Sequence, residues 1–103
     1  KIMVKHIILW TLKAELSDNE KENVKKDIKD GLESLKGKIP GLVDIKVISS
    51  RRLSSSTADL MLDSTFENTE ALNFYSKHPA HVAVADSKVR PFTSARSCLD
   101  FEI

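Results

Sequence analysis

IMVKHIILWTL, residues 2–12, decides the fold. Ile2, Val4, His6, Ile8, Trp10 and Leu12 share one face of an extended strand. Met3, Ile7 and Leu9 share the other with Lys5 and Thr11. A strand that is apolar on both faces is normally covered on both. Whatever follows must supply one cover from within the chain and leave the other face to a second partner.

The first cover comes next. Ser17 followed by Glu20 is a capping box, and Asp18 suits the positive end of a helix dipole. Val24, Ile28, Leu32, Leu35 and Ile39 then recur at spacings of four, four, three and four. This predicts one apolar stripe on a helix of about five turns, closed by Gly37 and Pro40-Gly41. Val43, Ile45 and Val47 alternate with Asp44 and Lys46 as a half-buried strand. After a polar loop over 49–56, a third strand places Ala58, Leu60, Leu62, Ser64 and Phe66 on one face. Its other face carries Asp59, Met61, Asp63 and Thr65. Asn68 can cap a second helix bearing Ala71, Leu72 and Tyr75. Pro79 breaks it and starts a further helical segment with Val82, Ala85 and Val89 inward, closed by Pro91. Residues 95–103 read as a last strand with Leu99, Phe101 and Ile103 on one face.

The order β-α-β-β-α-β predicts a ferredoxin-like α+β fold: a four-stranded antiparallel sheet with both helices on one face. Residues 1–103 read as a single domain, without repeat or linker. Helices on one side leave Met3, Ile7 and Leu9 uncovered on the other. An apolar sheet face of that kind predicts a homodimer, two sheets closing face to face into an α/β barrel.

Composition narrows the function classes. Sixteen basic against fifteen acidic residues leave a net charge of +1, which argues against a nucleic-acid partner. No apolar run reaches the roughly 18–20 residues of a membrane span, so no membrane partner is expected. One cysteine in 103 residues excludes an internal disulfide and suits a reducing, cytoplasmic location. Cys98, within a strand, is expected to be a buried small hydrophobe. Residue 1 is Lys rather than Met, so a preceding segment is expected.

The residues that carry chemistry cluster late in the chain. Tyr75 precedes His81 by six residues across the break at His78-Pro79-Ala80. His6 lies on an otherwise apolar strand face. If that face meets the helices, His6, Tyr75 and one of the two later histidines converge on one cavity. Imidazole and phenol can exchange a proton once burial and neighbours tune them, which needs neither metal nor organic cofactor. His78 is otherwise a residue that starts a helix, His81 and Tyr75 a pair satisfying each other, and His6 a hydrogen-bonded core residue. Histidine spacing gives no metal set, because His78 and His81 are separated by Pro79. Asp59 and Asp63 are expected to pair with Lys5 or Arg96. Arg51 and Arg52 can attract an anion, but their loop lacks the glycines of a phosphate-binding loop.

Several segments together resemble the stress-responsive dimeric α/β-barrel (Dabb) family. They are Val4-Lys5-His6-Ile7-Ile8, Ile39-Pro40-Gly41, Ser64-Thr65-Phe66-Glu67, Tyr75 with His78-Pro79-Ala80-His81, and Arg96 to Asp100-Phe101. The resemblance implies a ferredoxin-like fold, a homodimeric barrel and, in some members, larger rings. Members of the olivetolic acid cyclase type perform a cofactor-free aldol cyclisation of a linear polyketide. By that resemblance His81 would be the general base, Tyr75 would orient it or donate to the developing oxyanion, and His6 would be the strand histidine of the site. Ile8, Trp10, Ile28, Leu62 and Val84 would line the ligand pocket. The aromatic cavity wall of those members is absent: Val24, Lys25, Ile28 and Lys29, and Val82 to Ala85, stand there instead.

Three functions follow as expectations. The first is a homodimer with a small-molecule pocket between sheet and helices, working as a cofactor-independent polyketide cyclase or lyase on an aromatic or β-keto ligand. The second is a non-catalytic stress-protective or assembly protein. The third is a cofactor-free monooxygenase that deprotonates a quinol.

Overall fold

In the computed structural model, which describes residues 2–103, four strands form one antiparallel sheet. β1 (Val4–Leu12), β2 (Leu42–Ile48), β3 (Leu60–Phe66) and β4 (Thr93–Glu102) lie in the order β2-β3-β1-β4. α1 (Asp18–Glu33) connects β1 to β2, and α2 (Thr69–Lys77) with α3 (Pro79–Val84) connects β3 to β4. This is the ferredoxin-like arrangement that the alternations predict.

Local chemistry sets the ends. Ser17 and Glu20 form the capping box reciprocally, at 3.1 and 2.8 Å. Asn68 caps α2 by accepting from the Ala71 N–H. α1 is shorter than its apolar stripe. It stops after 16 residues, and Leu35 and Ile39 stay buried through the turns that follow. Gly37 adopts φ +84° in those turns, a conformation that ends a helix without a Cβ penalty.

The core lies between the sheet and the helices. Val4, Ile8, Trp10, Leu12, Leu62 and Phe66 meet Val24, Ile28, Leu32, Leu72 and Tyr75 there. Each fully buried side chain of this size contributes about 1.5–3 kcal/mol. Glu33 ties α1 to the β2 edge, accepting from Val47 N–H at 2.9 Å and from Lys29 at 2.8 Å. Burial alone would raise the Glu33 carboxyl, but these bonds outweigh it and hold it below its ordinary range.

β2 departs from simple alternation. Leu42 pairs with Phe66 and Asp44 with Thr65, so Val43 is the extra residue of a bulge. Leu42 and Ile45 therefore face the core, while Val43 is exposed. Gly41, just before, also has φ +84°, and a Cβ there would lie 2.5 Å from the Ala71 Cβ. Gly41→Ala combines a strained backbone with a clash against α2. It should destabilise by about 1–3 kcal/mol, read as a lower urea midpoint at unchanged slope.

The outer face of the sheet is apolar and open. Leu9, Ile48, Leu99, Phe101 and Ile103 are all exposed there, around the Lys5–Asp63 ion pair at 2.8 Å. Asp59 takes other partners, accepting from Leu12 N–H at 2.7 Å and lying 3.8 Å from Arg52. Cys98 is exposed rather than buried, because β4 is an edge strand paired only with β1. No helix among the described residues is long and apolar enough to cross a membrane.

Candidate functional site

The helix break creates the site. Pro79 cannot continue α2, and His78 takes an extended conformation before it. The His78 Nδ1 accepts from Ala80 N–H at 3.1 Å, so this histidine caps α3. The change of direction brings His81 back over Tyr75, with ring centroids 4.2 Å apart and planes 33° apart. Beyond α3 the chain widens into a π-turn over Ala85–Val89, then a short tight turn over Arg90–Phe92. These turns place Val89 and Arg90 on the same side.

A cavity of about 420 Å³ opens between the sheet and these turns. His6, Ile8 and Trp10 of β1, Leu62 of β3, Tyr75 and His81 line it. Two residues expected there lie elsewhere. Ile28 is fully buried in the core. Val84 packs on α1, where Gly31 leaves so little room that a Cβ would lie 2.9 Å from Val84 Cγ1. Leu32 supplies the α1 wall instead, with Ala85 and Val89 opposite. Arg90, Thr93 and Arg96 complete the rim. Arg96 was expected to face Asp59 and Asp63. It pairs in register with Trp10, which puts it on the cavity face of the sheet. The signal for this was present: if Leu99 and Phe101 face outward, then Arg96, Cys98 and Asp100 face the other way.

Electrostatics sort the polar groups. The Tyr75 side chain is 1% exposed, and its hydroxyl has no hydrogen-bond partner among the described residues. Burial pushes its pKa well above the ordinary 10, so the phenol keeps its proton. Phe66 packs against the same ring at 4.9 Å and fixes it. The His81 Nδ1–H donates to the Ser76 carbonyl at 3.3 Å, since a carbonyl only accepts. That leaves Nε2 as the free base. Burial, ahead of the nearby Arg90 and Arg96 charges, lowers the His81 pKa against the raising effect of the Ser76 bond. His6 donates from Nδ1 to Asp100 at 2.5 Å, and its ring lies 6.3 Å from that of Tyr75. The Cys98 thiol, raised by partial burial and by Asp100, lies 3.5 Å from the same carboxylate. His6, Cys98 and Asp100 thus offer three donor atoms within 4.8 Å, a grouping set by strand register rather than by sequence spacing. Their hydrogen bonds account for it without an ion.

The lowered His81 pKa has a consequence for stability. Between the folded value and the ordinary 6.5, the unfolded chain binds a proton that the folded chain does not. The stability associated with neutral His81 is complete above 6.5 and is lost as pH falls toward the folded value. The melting temperature should therefore drop from about pH 7 to about pH 5.5, and less steeply in His81→Gln.

Loop 49–59 forms a second depression on the outer side of the sheet. Arg52 is occupied there, donating to the carbonyls of Ala58 and Ser56 at 2.6 and 2.7 Å.

A cavity under a helix break on a four-stranded antiparallel sheet defines a ferredoxin-like pocket protein. The sequence profile of the stress-responsive A/B barrel domain matches residues 4–103, and the chain belongs to that Dabb family. It is similar to a dimeric ferredoxin-like protein of unknown function from Bacteroides fragilis, with 33% identity and a TM-score of 0.91. That match covers 98% of this chain and 96% of the other. A hydroxynitrile lyase from Passiflora edulis shares the fold at 18% identity and TM-score 0.73, covering 98% and 93%. A cofactor-independent oxygenase from Streptomyces nogalater does so at 14% and 0.68, covering 98% and 92%. No curated protein sequence matches the chain.

Proposed function

We propose that this protein is a cofactor-independent acid–base enzyme of the cyclase or lyase type. It acts on an aromatic or β-keto ligand in the cavity between sheet and helices. One observation carries the reading: Tyr75 lines the cavity with its ring against that of His81, and its hydroxyl is buried without a partner among the described residues. Buried polar groups without partners are rare, and each calls for a reason. A ligand oxygen that accepts from Tyr75 supplies one.

The chemistry follows from the protonation states. Neutral His81 removes a proton next to a ligand carbonyl through Nε2. The electron pair left behind forms an enolate, and the Tyr75 O–H donates to its oxygen. The enolate carbon then attacks a second carbonyl in a cyclisation, the oxygen of that carbonyl takes up the proton held by His81 as its π bond opens, and the base is restored; the reverse sequence cleaves a carbon–carbon bond. His6, held by Asp100, offers a further polar contact to the ligand. The fold similarity to a hydroxynitrile lyase and a cofactor-independent oxygenase is in keeping with small-molecule chemistry in such a cavity.

The working unit in this reading is a homodimer formed through the apolar outer face, as the similar Bacteroides fragilis protein is dimeric. A cytoplasmic location suits the single exposed thiol.

Tyr75→Phe separates this reading from a structural role for the pair. Removing an unsatisfied buried hydroxyl should leave stability unchanged or raise it by about 1 kcal/mol. The same change should shrink the thermal shift that aromatic and β-keto acids give the wild type. A variant that melts lower while its ligand-induced shifts are intact would make Tyr75 structural.

A further inference from the structure

The charges around the cavity are one-sided. Arg90 and Arg96 stand on its rim, and no aspartate or glutamate lines it. Arg90 is already engaged by Asp86 one turn away, and Asp100, on the same face of β4, is engaged by His6. Arg96 has no acidic partner within ion-pair distance among the described residues; the polar group it interacts with on that face is the Cys98 thiol, a weak hydrogen-bonding partner. Inward from it lie Ile8, Trp10 and Leu62, an apolar floor. A cation without a carboxylate partner of its own, above an apolar floor, matches a ligand that brings its own negative charge.

We infer that Arg96 is the carboxylate-recognising residue of this cavity, and that its ligand is an organic acid with an apolar body. This rests on the reading of the cavity as a ligand site and adds the substrate class. The planar guanidinium fork fits a planar carboxylate through two parallel hydrogen bonds. A phosphate carries more charge and more acceptor atoms than one free fork can meet. The carboxylate at Arg96 leaves the apolar body over Trp10 and Ile8, and the far end of the ligand within reach of Tyr75 and His81. An acid at Arg96 also offsets that residue's contribution to the lowering of His81, which a neutral analogue of the same size does not.

The experiment is titration calorimetry with 3-phenylpropanoate, 3-phenylpropanamide and phenyl phosphate on the wild type, Arg96→Gln and Arg96→Lys. Arg96 is exposed on an edge strand outside the core, so both variants should fold, which circular dichroism verifies. The acid should bind the wild type about tenfold more tightly than the amide. Arg96→Gln should remove that preference without weakening the amide, and Arg96→Lys should keep part of it. In the wild type, the His81 titration midpoint seen by NMR should lie higher with the acid bound than with the size-matched amide bound. Equal binding of acid and amide, or a preference that survives Arg96→Gln, overturns the assignment and leaves the cavity reading standing. Tighter binding of phenyl phosphate than of the acid also overturns it. Failure of all three probes to bind overturns both.

Discussion

His81→Gln should slow exchange of the protons next to the carbonyl of 4-phenyl-2-butanone with D2O by about 100- to 10,000-fold relative to the wild type. The ketone is a probe chosen because proton removal alone is observed, by loss of NMR signal, whatever reaction follows in the natural ligand. Glutamine keeps the bulk of the imidazole and can donate to the Ser76 carbonyl as Nδ1 does, but it has no basic nitrogen. The folded cavity should therefore survive while the base is lost. Tyr75→Phe should reduce the rate less, because an enolate that has lost its donor can still form. A wild-type rate no faster than buffer, or an unchanged rate in His81→Gln, would count against proton abstraction at this site.

The second large effect concerns assembly. Leu99→Asp should convert the proposed homodimer to a monomer at micromolar concentration, seen as a halved mass in light scattering. Leu99 is 63% exposed on the outer face, beside Phe101 and Ile103. Burying a leucine contributes about 1.5–3 kcal/mol, and two-fold symmetry places the substitution twice in one interface. The loss of about 3–6 kcal/mol weakens dimerisation by roughly 100- to 10,000-fold, before any cost of burying the introduced carboxylates. A dimer that persists in Leu99→Asp would mean that association uses another surface.

Much of the fold was legible because its signals are local. The Ser17–Glu20 capping box, the Asn68 cap and Pro79 act within a few residues, and each stands where the alternations place it. The details that escaped depend on partners distant in sequence. The bulge that turns Val43 outward is fixed by the pairing of Leu42 with Phe66 and Asp44 with Thr65, which no window on residues 42–48 contains. The cavity shows the same division. The structure brings His6, Ile8, Trp10, Leu62, Tyr75 and His81 to one wall. Ile28 and Val84 fell elsewhere because a helical stripe states which side is inward and not how deep each position lies. Arg90 depends on the π-turn, whose extra residue no helical period anticipates. The grouping of Cys98 and Asp100 with His6 needed the register of β4 on β1.

β4 carries rim residues of the cavity yet contributes no side chain to the hydrophobic core. Its inward positions can therefore change identity with little consequence for whether the chain folds. At the rim, selection on what the protein recognises is separated from selection on whether it persists, whereas Ile8, Trp10 and Leu62 of the floor serve both. A lineage built on this scaffold can explore new ligands through Thr93 and Arg96 while β1, β3 and the helices hold the fold constant.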